Sequence, residues 1–200
     1  MALIDTQIAQ QNFETIRQAI GAILATELIA QTAVTNLGIA SGSVWDERIL
    51  PFNQDELPAI NVWFDRNRYD LHDAEEKRGI NTYVIDCAFN SKATDSSMND
   101  KSSSRNAQRI AGIVSAILSS PQYLTLGLPA GTISTRIITG IEILRVRQAD
   151  ALMTVFGRVT MDVTSFETVT GITPYTIGSI HTVATLEESD KGFYYAVPTT

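Results

Sequence analysis

The sequence predicts an α+β fold: a largely antiparallel sheet covered on one face by two helices, with long charged loops and a C-terminal arm. Three observations carry this. Two stretches, near residues 5–34 and 104–119, repeat apolar residues every three to four positions, the period of an amphipathic helix. Four other stretches alternate apolar and polar residues with the period of two expected of a half-buried strand. The last two of these strands are separated by only a few residues, which favours an antiparallel hairpin. One-sided stripes on helices and strands alike must be buried against each other, and a single α+β layer pair does this.

Taken in order, the first helix places Phe13, Ile16, Ile20, Ile23 and Leu24 on one face and Gln10, Gln11, Glu14, Arg17 and Gln18 on the other. Asp5, Thr6 and Asn12 are its potential N-caps, and Asn36 and Gly38 its stop signals. Gly21 weakens the middle of this helix, which predicts close packing on the sheet there. Val44–Leu50 reads as a short strand ended by Pro51. The central pair follows. Ile60, Val62 and Phe64 oppose Asn61 and Asp65, and Tyr83, Ile85, Cys87 and Phe89 oppose Thr82, Val84, Asp86 and Ala88. Between them, residues 66–78 hold eight charged side chains in thirteen plus His72, which predicts a long exposed connection.

The Ser-, Asp- and Asn-rich stretch 91–106 reads as a second exposed loop, with one of Ser102, Ser103 or Ser104 capping the helix that follows. That helix carries Ala107, Ile110, Ala111, Val114, Ile117 and Leu118 on one stripe, and Pro121 forbids its continuation. After a turn over Leu126–Gly131, the β-branched run Ile133–Gln148 predicts a long strand with a bulge or bend at Gly140, where the apolar face changes parity. Met153, Val155, Val159, Met161 and Val163 then alternate with polar residues in its hairpin partner. From Thr170 the chain changes character, with Thr, Ser and Gly between small apolar groups. The expected organisation is therefore a domain over 1–169 and an arm over 170–200 that docks through Phe193, Tyr194 and Tyr195.

Composition narrows the function. A net charge of −7 argues against a nucleic-acid-binding surface, whose affinity comes mainly from clustered Lys and Arg. Cys87 stands alone, on the apolar face of a strand, and reads as a buried structural thiol. No stretch approaches the roughly 20 apolar residues of a membrane span, and no charged-then-apolar leader opens the chain, so no membrane is expected. Catalysis needs titratable groups within reach of one another. The densest set is Asp70, His72, Asp73, Glu75 and Glu76, residue types that ligate metals. His72-Asp73 spells the pair used by His-Asp phosphohydrolases, but those sites need a further upstream His, and the other histidine is His181. No nucleophile elbow, zinc-helix motif, phosphate loop or Cys-x-x-Cys is present. The expectation is no enzyme, no metal and no cofactor. A small hydrolase or ligand-binding domain, with a site under the 66–78 connection, is the rival of another class.

The order of helix, strands, charged connection, strand, helix and long hairpin resembles the tail-terminator or tail-completion proteins of long-tailed bacteriophages. The resemblance spans roughly Asp5 to Glu167. It rests on Leu57-Pro58-Ala59-Ile60-Asn61-Val62, Tyr83-Val84-Ile85-Asp86-Cys87, the alanine-bearing helix around Ala107 and Ala111, and Val146-Arg147-Gln148-Ala149-Asp150 followed by Gly157-Arg158-Val159-Thr160. It implies a virion protein of the tail or neck, present in the host cytoplasm during assembly. Such a protein would form a hexameric ring that caps the tail tube, ends its polymerisation and joins it to the head. Its partners would be copies of itself, the tail tube protein, neck and head–tail connector proteins, and a sheath protein where the tail has one. A head-completion or neck protein is the alternative within this class. On either reading the expected interface residues are Arg66, Arg68, Asp70, Asp73, Glu75, Glu76, Lys77 and Arg78 in the charged connection, with Phe193, Tyr194 and Tyr195 in the arm.

Overall fold

The computed structural model describes residues 10–35, 43–50, 52–72, 76–89, 96–147, 153–168, 182–184 and 193–195. The chain divides into two compact units, Ala9–Val169 and a second made of Met1–Ile8 with Thr170–Thr200. In the larger unit the order is α1 (Asn12–Thr35), β1 (Val44–Asp46), β2 (Ala59–His72), β3 (Glu76–Phe89), α2 (Ser96–Ser119), β4 (Ile133–Arg147) and β5 (Met153–Thr168). The five strands form one sheet in the order β1-β2-β3-β5-β4, antiparallel throughout except for the short parallel pairing of β1 with β2. The fold is α+β, with both helices on one face.

The apolar stripes meet there as expected. Ile16, Ile20, Leu24 and Leu28 of α1 and Ala111, Val114 and Leu118 of α2 pack in one cluster with Val62, Tyr83, Ile85, Val159, Met161 and Val163 of the sheet. Cys87 lies in the same cluster, and burial pushes its thiol pKa well up, so it is an inert core residue. At the sheet centre Val62, Ile85 and Val159 stand side by side in register on the helix face. Leu126 is buried with positive φ, and Gly127 and Gly131 complete the turn before β4 with φ of 73° and 90°. The register of β4 against β5 shifts between Ile138 and Gly140, which is the irregularity expected at Gly140.

Five expectations need correction. The strand read over Val44–Leu50 stops at Asp46, because Glu47 takes a positive φ and turns the chain away. The 66–78 connection is mostly strand: β2 runs to His72 and β3 begins at Glu76, so only 73–75 lie between them. The reason is that β3 is paired on both sides, to β2 and, out to Glu76↔Thr168, to β5. Backbone pairing there sustains extended structure even though the side chains on one face are charged. The 91–106 stretch is likewise not all loop, because α2 starts at Ser96, ahead of the expected caps. The start of α1 uses Gln11 as the flanking residue: its N–H donates to Glu14 Oε2 at 2.9 Å, half of a capping box, while the Asn12 side chain donates to the Phe166 carbonyl of β5. Gly21 is not a point of close packing on the sheet, since a Cβ there would meet no atom of another element within 4 Å. The close helix-to-sheet contact is at Gly157, where a Cβ would lie 2.6 Å from the Ala107 carbonyl oxygen and 3.0 Å from Ala111 Cβ.

The smaller unit contains β6 (Thr182–Ala184) and β7 (Phe193–Tyr195), paired antiparallel. Phe193, Tyr194 and Tyr195 are therefore strand residues, opposite Ala184, Val183 and Thr182. His181 lies outside the described residues.

Candidate interaction surface

The residues expected to form an interface fall into separate places. Arg66 and Arg68 project from β2 into solvent, and Arg66 makes a long, exposed contact of 3.8 Å with its neighbour Asp65. A pair that open to water contributes about 0–1 kcal/mol. Lys77 and Arg78 are half-buried on β3. The Lys77 ammonium lies 5.7 Å from the Tyr69 ring centroid. Asp70 and Glu76 are strand residues of the same ribbon, and Asp73 and Glu75 lie outside the described residues. The side chains of Asp70, His72, Asp73, Glu75 and Glu76 all lie outside the described residues. Among the described residues no group of three or more His, Cys, Asp or Glu side chains converges.

Beneath this ribbon, on the helix face, runs a polar ladder. The Asn67 amide donates to Asn81 Oδ1, and Asn81 Nδ2 donates to Ser165 Oγ at 2.7 Å. One rung on, the Tyr69 hydroxyl donates to Glu167 Oε2 at 3.1 Å. Tyr83 donates to the Phe13 carbonyl at 2.9 Å, tying the sheet to the first turn of α1. Burial, and after it the charge of Glu167, raises the pKa of both Tyr69 and Tyr83. The opposite face of the sheet carries a bidentate ion pair, Arg158 to Asp86 at 2.8 and 2.9 Å, with the guanidinium 5.5 Å from the Trp63 ring. Further along the same face, past the Val84–Thr160 pair, Thr82 donates to Asp162 at 2.8 Å.

The two edges of the sheet differ. At the β1 edge, Glu47 has positive φ and turns the chain out of the sheet. Arg48 then fixes the loop from several directions. Its N–H donates to Asn61 Oδ1 at 3.0 Å while its carbonyl accepts from Asn61 Nδ2 at 2.9 Å, and its guanidinium reaches the Leu50 carbonyl at 3.2 Å and both Glu56 oxygens at 2.8 and 2.9 Å. The same guanidinium stacks over Trp45 and Phe52 at 4.4 and 4.7 Å. On the other side of this edge Arg17 of α1 pairs with Asp46 and Glu47 at 2.5 and 3.0 Å. Held by this clamp, Ile49 and Leu50 are 95% and 74% exposed.

At the other edge, β4 pairs with β5 alone among the described residues. Beside it, between the strand and the C-terminal end of α2, lies a groove of about 560 Å³ lined by Leu118, Leu124, Arg136, Ile137, Ile138 and Met161 among others. Leu124 and Ile137 on its rim are 65% and 60% exposed. Arg136, which lines it, donates to the Ser120 carbonyl at 2.6 Å. A second groove, about 520 Å³ and more polar, lies between the helices and includes Glu27, Arg109 and Tyr123.

Sequence reading missed both edge features. The signal that could have found the first is the pair Ile49-Leu50 set directly between charged residues and Pro51, where a strand of the expected length would have alternated. The second depends on where α2 stops relative to β4, which no local pattern records.

No family model and no curated protein matches this chain. Among solved structures, it is similar to a chain described as "Virion of native gene transfer agent (GTA) particle", at 17% identity and a TM-score of 0.43, with 72% of this chain and 94% of that chain covered.

Proposed function

We propose that this chain is a non-catalytic structural subunit of a phage-like virion, whose copies close into a ring at the end of a tail tube, stop its growth and join it to the neck. The observation that supports this reading is the pair of sheet edges, one of them the 15-residue strand β4, that no other strand covers among the described residues. A long β-branched edge with one unpaired side is a template for another chain, and isolated proteins usually blunt it. The tail-terminator resemblance of the sequence sets the number of copies at six. The Arg66–Arg78 ribbon and the Phe193–Tyr195 strand would then contact neighbouring subunits or tail proteins, with charge pairing fixing register more than affinity. A net charge of −7 suits a passage that DNA crosses without sticking.

The test combines light scattering of the full-length protein with microscopy of particles assembled in its absence. A mass of six copies and tails of uncontrolled length, lacking heads, are the expected results. A monomer at every concentration, together with normal headed tails formed without the protein, would refute the reading.

A further inference from the structure

The structure assigns a cation-binding site to the buried carboxylate of Glu167, with oxygen ligands from the polar ladder of the β2–β3–β5 ribbon, and the ion it fits is a hard divalent cation of the calcium type. The inference is independent of the ring reading. Glu167 is 4% exposed, and the Tyr69 hydroxyl donates to its Oε2 at 3.1 Å. Its Oε1 is buried and meets no donor. A carboxylate taken out of water needs its charge matched and its lone pairs filled, and one neutral hydroxyl does neither in full.

The surroundings show what is missing. Lys77 is the Cα partner of Glu167 on β3, yet its ammonium lies 5.7 Å from the Tyr69 ring centroid and leaves Oε1 bare. The Asn67 and Asn81 amides are spent as donors inside the ladder, on Asn81 Oδ1 and Ser165 Oγ. Asn67 Oδ1 is a second buried oxygen without a donor. A Cβ at Gly79 would stand 2.8 Å from this oxygen and 2.9 Å from Tyr69 Cδ1, so the bare backbone lets both β2 side chains lie across β3 toward β5. Gly79 is in turn the Cα partner of Ser165, two residues before Glu167 on the same face. The ladder thus has acceptors in surplus, all of them oxygen and one charged. A water molecule would supply two protons but leave the charge of Glu167 unmatched. Oxygen ligands suit Ca²⁺ over softer metals, and Ca²⁺ tolerates irregular geometry, whereas Mg²⁺ demands a near-ideal octahedron. A single carboxylate sets the affinity at the weak end of protein calcium sites, roughly 10⁻⁴–10⁻³ M.

Terbium(III), a luminescent substitute for Ca²⁺ that is excited through nearby tyrosine, tests this when titrated into the full-length protein. The expected result is tyrosine-sensitised emission that CaCl₂ displaces, that Glu167→Gln abolishes and that Tyr69→Phe weakens. Lys77→Gln keeps every proposed ligand and removes a positive charge beside them, so it should tighten the binding of both ions several-fold; circular dichroism verifies that each variant is folded. Emission unchanged by Glu167→Gln would place terbium elsewhere on this acidic chain and overturn the site. Emission that CaCl₂ fails to displace would overturn the choice of ion. A urea midpoint that CaCl₂ does not raise over NaCl of equal ionic strength, together with weaker terbium binding in Lys77→Gln, would mean that Lys77 itself serves Glu167, and would overturn the inference as a whole.

Discussion

Adding one methyl group at Gly157 should destabilise this protein more than any other glycine-to-alanine change at a strand or helix position facing the core. The reason is local. A Cβ at that position of β5 would stand 2.6 Å from the Ala107 carbonyl oxygen, whereas ordinary contact begins near 3.4 Å. The atom it meets is helix backbone, which cannot swing aside as a side-chain tip can. Helix α2 would have to lift by about 0.8 Å, loosening Ile110, Ala111 and Val114 in the core beneath it. Overpacking of this kind costs about 1–3 kcal/mol. With a urea dependence of about 1–3 kcal/mol per molar, the unfolding midpoint of Gly157→Ala should fall by on the order of 1 M. Gly112→Ala supplies the contrast, since that glycine is exposed in α2 and a Cβ there would meet nothing within 4 Å. It should gain about 0.5–1 kcal/mol from helix propensity. Chemical denaturation followed by circular dichroism measures both. If Gly157→Ala changed stability by less than about 0.5 kcal/mol, the tight seating of α2 on β5 would be wrong.

Two pH responses follow from buried and clamped groups. Cys87 and Tyr83 have pKa values raised by burial, so their neutral forms belong to the folded state. Stability should therefore be full below the unfolded-state values, near 8.5 for cysteine and 10 for tyrosine, and fall above them by up to about 1.4 kcal/mol per pH unit for each group. Cys87→Ala should delay the onset and Tyr83→Phe should flatten the curve above pH 10; an unchanged urea midpoint between pH 8 and about 10.5 would refute this. Glu56 responds in the opposite sense. Hydrogen bonds from Arg48, and then from the Asn53 N–H, hold its pKa below the usual carboxylate range, so the clamp should persist above about pH 4.3 and open as pH falls through the lowered value. Emission from Trp45, which stacks on Arg48, should report this opening in a Trp63→Phe background, and Glu56→Gln should abolish the transition.

The fold was legible where burial is one-sided. The stripes of α1 and α2 and the alternation of β3 and β5 each name residues that the structure buries, and Gly140 announced its irregularity through a change of parity. Legibility failed where polarity and secondary structure part company. Arg66, Arg68, Lys77 and Arg78 read as loop because strand patterns are sought through apolar residues, yet the ribbon they occupy is held by backbone pairing to neighbours on either side of β3. Ser96 to Ser103 read as loop for a similar reason, although α2 includes them. The surface itself was least legible. Charged residues in the ribbon were visible as a run, but Ile49 and Leu50 acquire their character only from the Arg48 clamp, whose members Trp45, Phe52, Glu56 and Asn61 lie up to 13 positions away.

The Asn67–Asn81–Ser165 ladder has a consequence for how the sheet finds its alignment. Sliding β3 by two residues along β5 keeps every side chain on its original face, so apolar burial alone penalises such a slip weakly; a one-residue slip, by contrast, turns the whole apolar set outward. With the ladder in place a two-residue slip strands Asn81, fully buried, away from both its partners. An unsatisfied buried amide costs about 1–3 kcal/mol, enough to depopulate the slipped alignment by roughly fivefold to over a hundredfold. Three polar side chains inside an apolar layer thus act as a vernier, setting the alignment of β2, β3 and β5 that their hydrophobic neighbours leave open. Any edge that a partner must recognise inherits its position from that setting.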